Sequence, residues 1–346
     1  MRVYTSITSN YLPKARVLAT TLKRKHPDWA FDLMISQPLP DLDWSAEPFD
    51  RVLTVEDLSI ENPVGWVFTH QAVEVCTAVK GPAAAHILDS TGTDKLIYLD
   101  PDIAVFNSLD ALSELLDDHP ILLTPHQVQP EQTLDAIVDN EICSLKHGVY
   151  NLGFLAIRNE GQGRDFVNWW RDRLLHFCYD DIPNGLFTDQ RWCDLAPAFF
   201  DELHIIRAPE YNVATWNLAH RDVVMTRDGT IHVDGAPLRF YHFTGFDSGA
   251  GATMARKYAP DEHIVHEMWA WYIRQLEVHG QEAFGAIPWT YDAFDNGVPI
   301  TPRMRRLYRH RRDLQEHFTD PFDTRRADGG FLAWWRTEHA GQDGTS

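Results

Sequence analysis

Positive charge is scarce in this chain: 31 Lys and Arg stand against 50 Asp and Glu, a formal net charge of −19. Nucleic-acid binding relies on basic surface to neutralise phosphates, so that class is set aside. Cysteine is scarce as well. Cys76, Cys143, Cys178 and Cys193 lie far apart with no C-x-x-C pair, which fits reduced thiols rather than a disulfide framework. No run of about 18 apolar residues is available to span a bilayer, and the opening residues lack an apolar signal-peptide core. The expectation is a cytoplasmic chain, at most peripheral on the inner face of the cell membrane. Neither G-x-G-x-x-G nor a Walker loop occurs, which argues against Rossmann dehydrogenases and P-loop NTPases. Internal repeats and low-complexity linkers are also missing.

What is present suits a large core: 346 residues, 44% of them hydrophobic, enough for one elaborated α/β domain with an appendage or for two domains. Strand, helix and strand patterns follow one another over 3–8, 15–25 and 30–36. That opening marks a doubly wound α/β sheet, whose ligands sit beyond the C-terminal ends of the strands. It puts residues 6–11, with Thr5 just ahead of them, beside the ligand. Further helices are predicted over 68–80, with Lys80 at the cationic C-terminal end, over 109–116, and over 164–178, with Phe166, Trp170, Leu174 and Phe177 turned inward. Strands are predicted over 121–124 and 150–159. From about residue 250 the pattern turns helical and rich in Trp and Arg, and the tail after Gly341 reads as disordered.

The stretch 96–106 is the functional centre of this reading. A short apolar strand, 96–99, stops at Asp100, and Asp102 follows across Pro101. In an extended segment two side chains two residues apart leave on the same side. Paired ionised carboxylates repel unless one is protonated or a cation lies between them. Oxygen ligands favour a hard divalent ion, Mg2+ or Mn2+. The plainer reading is a polar turn closing a strand, but four apolar residues on each side are unusual for a solvated turn.

Other residues carry two readings each. Lys80 is a helix-end cation or a contact to a donor sugar or phosphate. Asn151 and Gly153 open an apolar strand where a missing Cβ lets a ligand approach the backbone. Thr188 suits a helix N-cap and Asp189 the first helical turn. His242 shares one face of a strand over 238–246 with Phe240 and Thr244, ahead of Gly245, and alone reads as a packed strand histidine. In the helix predicted over 301–318, arginines cluster between 303 and 312, either a solvated face paired with carboxylates or a docking face for an anionic membrane or lipid diphosphate.

Taken together and in order, these segments resemble the metal-dependent glycosyltransferases of the GT-A fold, closest to retaining family 8 enzymes and bacterial surface-polysaccharide transferase modules. Tyr98-Leu99-Asp100-Pro101-Asp102-Ile103 is similar to the family's Asp-x-Asp motif, implying metal ligands at Asp100 and Asp102. Asn10 and Tyr11 match the position where such enzymes stack the nucleobase. Lys80 resembles the basic residue reaching donor phosphate or sugar, and Asn151 the residue contacting donor hydroxyls. Asp189 and Gln190 resemble the pair near the anomeric carbon. Tyr241-His242-Phe243-Thr244-Gly245 is similar to a late His-Phe-x-Gly motif, implying His242 as third metal ligand and Gly245 as part of the donor site. The family's following Lys-Pro-Trp is absent, and Phe246-Asp247-Ser248-Gly249 stands there instead.

The resemblance covers roughly residues 1–250, implying a GT-A catalytic domain there and a helical extension over 251–340. It implies transfer of a sugar from a nucleotide-sugar donor, a UDP-sugar above all, to a glycan or lipid-linked saccharide in polysaccharide or glycoconjugate biosynthesis, with Mn2+ or Mg2+ as cofactor. It also implies retention of anomeric configuration, because Thr188-Asp189-Gln190 follows the retaining pattern. An inverting GT-A enzyme is the first alternative. A sugar nucleotidyltransferase is a second, although residues 6–13 contain no Gly or Arg. A carbohydrate-binding module using the 12 Trp is a third.

Overall fold

The computed structural model describes residues 1–339, so the tail reading for 341–346 lies outside the described residues. Its centre is a seven-stranded sheet built from β1 (Arg2–Ile7), β2 (Ala30–Ile35), β3 (Arg51–Thr54), β4 (Lys95–Leu99), β6 (Ile121–Pro125), β7 (Tyr150–Arg158) and the strand Leu203–Ile205. β5 (Ile103–Val105) lies outside that sheet. From one edge the order is Leu203–Ile205, β6, β7, β4, β1, β2, β3. All neighbours are parallel except β7, which runs antiparallel to both β4 and β6. The predicted α/β class with a mainly parallel sheet is thus observed. Its strands read as continuous apolar runs because helices cover both faces.

The first crossover follows from the sequence. β1 feeds a short turn and then α1 (Leu12–Lys25), which has Pro13 in its first turn. A proline is tolerated there because the first amides have no intrahelical acceptor. Leu18 and Leu22 pack with Phe31, Ile97 and Leu99 on one side of the sheet. On the other side Val79, Ala83 and Leu88 meet Phe166, Trp170 and Leu174.

Three element predictions are corrected. The helix over 68–80 is divided into α2 (Pro63–Phe68), α3 (Ala72–Ala78) and α4 (Lys80–Thr91). Glu74 accepts from the Gln71 amide at 2.8 Å, which restarts the helix after Phe68; Lys80 therefore begins a helix instead of ending one. Phe177 is half exposed, because its helix, Gly161–Phe177, ends there. The helix over 301–318 is two pieces, Pro302–His310 and Arg312–His317, with Arg311 extended between them.

The hydrophobic cluster runs across residue 250. Phe68 touches the rings of Phe294, Tyr308, Phe322 and Phe331 at 5.0 to 6.0 Å between centroids. No helix among the described residues is long and apolar enough to cross a membrane.

Candidate active site

β4 ends in a turn, and the turn makes the site. The Asp100 amide donates to the Gly153 carbonyl at 2.9 Å and the Ile103 amide to the Asp100 carbonyl at 3.0 Å. Pro101 takes the second position of that β-turn, where its fixed φ is favourable. Asp100 and Asp102 converge through this turn, and not through the extended geometry anticipated from their spacing. The strand Phe240–His242 pairs antiparallel with β5, setting His242 opposite Ile103. As a result His242 Nε2 lies 3.0 Å from Asp102 Oδ1 and 3.7 Å from Asp100 Oδ2.

One ligand atom from each of Asp100, Asp102 and His242 lies within 4.8 Å of the others. Two carboxylates suit a hard divalent ion, and the added imidazole favours Mn2+ over Mg2+. The imidazole is also held in orientation: its Nδ1 faces Asn151 Oδ1 at 3.2 Å, leaving Nε2 toward the carboxylates. Metal-binding histidines are commonly oriented through the other ring nitrogen in this way. Asn151 is fixed in turn by Asn212 Nδ2 at 3.0 Å and by the Gly153 amide at 3.1 Å. Gly153 has its own reason to be glycine. A Cβ there would lie 2.4 Å from His242 Cε1, so the missing side chain admits the imidazole and not a ligand.

Burial pulls the His242 imidazole toward neutrality, and the Asp102 and Asp100 carboxylates outweigh it, for a net rise. Burial pushes Asp102 upward, but His242, with a smaller contribution from Lys14, holds it below the usual carboxylate range.

Lys80 ties Asp100 to Asp189. Its Nζ lies 3.2 Å from Asp100 Oδ1 and 2.9 Å from Asp189 Oδ2, and donates to the Leu152 carbonyl at 3.1 Å. Burial opposes its charge, yet the two carboxylates raise it. Asp189 is pushed up chiefly by burial, with Asp100 adding and Lys80 opposing. Thr188, expected as an N-cap, instead stands at φ 42° in the left-handed region and donates to Asp189 Oδ1 at 3.1 Å. A β-branched residue is disfavoured there, and such strain clusters at functional sites. Gln190 is engaged too, donating to the His147 carbonyl at 2.9 Å.

Two cavities meet at these groups. One, of about 480 Å3, is lined by Ser6, Thr8, Asn10, Tyr11, Cys76 and Tyr98, and by Ile287, Pro288, Trp289 and Asp292 from beyond residue 250. The other, of about 370 Å3, is lined by His126, Asn151, Asp189, Gln190, Trp216 and His242. Val73, Thr77, Lys80, Asp100 and Asp102 face both. Of the residues singled out from sequence, Thr5 and Gly245 line neither. Thr5 is fully buried, and Gly245 turns at φ 69° against the Gly251 amide.

Sequence reasoning missed Tyr98, whose hydroxyl donates to Asp100 Oδ1 at 2.6 Å and whose ring carries Lys80 Nζ at 4.3 Å. The signal was available, since Tyr98 lies two residues before Asp100 along the chain. Asn212 and Trp216, from an irregular segment, gave no such signal.

No protein-family model matches the chain. Two proteins of Bacillus subtilis (strain 168), both described as uncharacterized, are similar over half of it. YfnF is 28% identical over 182 residues, 51% of this chain and 58% of its own length. YfnD is 26% identical over 176 residues, 50% and 54% respectively. The chain thus aligns with little more than half the length of these relatives. Solved glycosyltransferase structures overlap it at low identity. The galactosyltransferase LgtC, in complex with donor and acceptor sugar analogues, is 17% identical, with 83% of this chain and 98% of that one covered at a TM-score of 0.47. GlyE of Streptococcus pneumoniae TIGR4 is 16% identical (85% and 66%, TM-score 0.45). Mouse xyloside xylosyltransferase 1 is also 16% identical (70% and 97%, TM-score 0.37). Overlaps this shallow assign no function by themselves.

Proposed function

We propose that this chain is a GT-A glycosyltransferase that moves a sugar from a nucleotide-sugar donor, with UDP as the leaving nucleotide, to a hydroxyl of a glycan or lipid-linked saccharide, with retention. The reading is carried by one observation: Asp100, Asp102 and His242 converge beside Lys80 and Asp189 where two cavities meet at the strand ends. Donor and acceptor then have a compartment each, with the reacting bond between them. A binding module working through exposed tryptophans is less well supported, since Trp170, Trp269, Trp289 and Trp335 are buried.

Mn2+ or Mg2+ held by Asp100, Asp102 and His242 would supply positive charge to a departing diphosphate. Asn151 aims the imidazole. Tyr98 and Lys80 hold Asp100 in place, and Lys80 keeps a cation between Asp100 and Asp189. Asp189, nearly enclosed and pushed toward protonation, is suited to hold the acceptor's proton or to support positive charge at the anomeric carbon. Residues 1–250 carry the ion site, and the extension beyond 250 supplies a wall of the first cavity.

The test is a panel of nucleotide sugars incubated with the full chain and Mn2+ or EDTA, scored for donor hydrolysis. The expected result is slow hydrolysis of one donor class with Mn2+, abolished by EDTA. If no donor is hydrolysed and no nucleoside diphosphate binds in either condition, the reading falls.

A further inference from the structure

Resting on that reading, one buried cation near the ion site has no role in it yet. Lys14, in the first turn of α1, is only 2% exposed at its side chain. It pairs with Asp247, whose side chain is 48% exposed, in the turn between Gly245 and Gly249. The Tyr11 hydroxyl donates to the same Asp247 oxygen at 2.5 Å, and Lys14 Nζ lies 3.7 Å from the Tyr11 ring centre. Tyr11 in turn lines the cavity that contains Asp102. Residues 241–255 contain no Lys or Arg, so that turn brings no cation of its own to the ion site.

The two partners are unequally placed. Asp247 can leave into water at little cost, whereas Lys14 cannot, and a buried charge stripped of its partner is strongly unfavourable. Only another anion can release Asp247. A nucleoside diphosphate beside Asp102 would carry oxygens of the kind that a lysine, a phosphate binder as a point charge, and a tyrosine hydroxyl both bind.

We propose that Lys14 and Tyr11 form a diphosphate-binding subsite that Asp247 occupies in the free protein, and that donor binding exchanges the Asp247 carboxylate for phosphate oxygens. Asp247 is then an internal competitor, and the site prefers a diphosphate over a bare nucleoside by the contact that Lys14 makes.

The experiment compares calorimetric Kd values of the full chain with Mn2+ for UDP, GDP, ADP and CDP and for the matching nucleosides. Lys14→Met is expected to weaken the preferred diphosphate about tenfold or more and to leave its nucleoside within about twofold. Asp247→Asn is expected to tighten the diphosphate about threefold. Equal losses for diphosphate and nucleoside, or no loss, in Lys14→Met overturn the subsite while leaving the glycosyltransferase reading intact. Should Lys14→Met fail to fold, Asp247→Asn decides, and unchanged or weaker diphosphate binding there overturns it. A wild-type chain that binds none of the diphosphates removes both the functional reading and this subsite.

Discussion

Two charged clusters, the strand-end site and the arginine-rich segment after residue 300, have opposite fates in the fold. In the first, Asp100, Asp102 and Asp189 gather around one lysine and one histidine, and all border open cavities. In the second, most of the charges find partners within the chain, although Arg305, Arg306 and Arg309 also line a cavity of about 520 Å3. Arg305, buried, donates to the Phe68 and Tyr291 carbonyls and lies over Trp289 at 5.0 Å. Arg309 pairs with Glu74 at 3.1 Å and stacks on Tyr179 at 3.3 Å. Arg311 pairs with Asp313 and Arg312 with Glu316. Density of charge is therefore a poor guide to function, and the better guide is whether the partners are exhausted inside the protein.

The hardest test of this contrast removes a carboxylate from the first cluster. Asp102→Asn is expected to lower Mn2+-dependent UDP binding by about 100-fold or more. Stability should stay within about 1 kcal/mol, since neutralising Asp102 relieves the crowding of like charge against Asp100. Calorimetry and urea unfolding read both, and undiminished Mn2+-dependent binding would remove Asp102 from the ion site.

Asp189→Ala should cut kcat by about 100-fold to 10,000-fold while changing UDP affinity little, as for a group that matters in the transition state. Product NMR sharpens this: an α-linked donor should give an α-linked product. A β-linked product breaks the retaining assignment and sends the search for a base to the carboxylates around 125–141 and 180–189.

In the second cluster the effect should be chiefly on stability. Arg305→Met leaves the Phe68 and Tyr291 carbonyls without their donor, for a loss of roughly 2 to 4 kcal/mol in urea unfolding. The paired arginines also lead us to expect no binding to anionic vesicles that falls steeply with salt. Such salt-dependent binding would restore the membrane-docking reading.

The smallest effect concerns His70, buried under the same arginines. Burial, with Arg309 and Arg305 adding, pulls its imidazole down to about 3. The unfolded chain then binds a proton that the folded one refuses, so stability falls as pH drops below about 6.5. His70 should account for about 3 kcal/mol of that loss by pH 4. Its contribution is read as the difference between wild type and His70→Gln, and parallel pH profiles for the two would contradict it.

Composition and local pattern determined a good deal by themselves. The apolar runs ending at Leu99, the strand-helix-strand opening and the isolated pair at Asp100 and Asp102 were legible because periodicity and crowding of like charge are local properties. The direction of the chain after Asp100 was not. A turn brings the two carboxylates together, and that depends on Gly153 accepting the Asp100 amide from a neighbouring strand. Only the tertiary structure could decide that Gly153 makes room for His242, that Lys80 opens a helix between two carboxylates, or that Lys14 is buried against Asp247 from more than two hundred residues away. A side chain's charge is written in the sequence, but its partner is set by chain segments far from it, and in these clusters the partner decides what the charge can do.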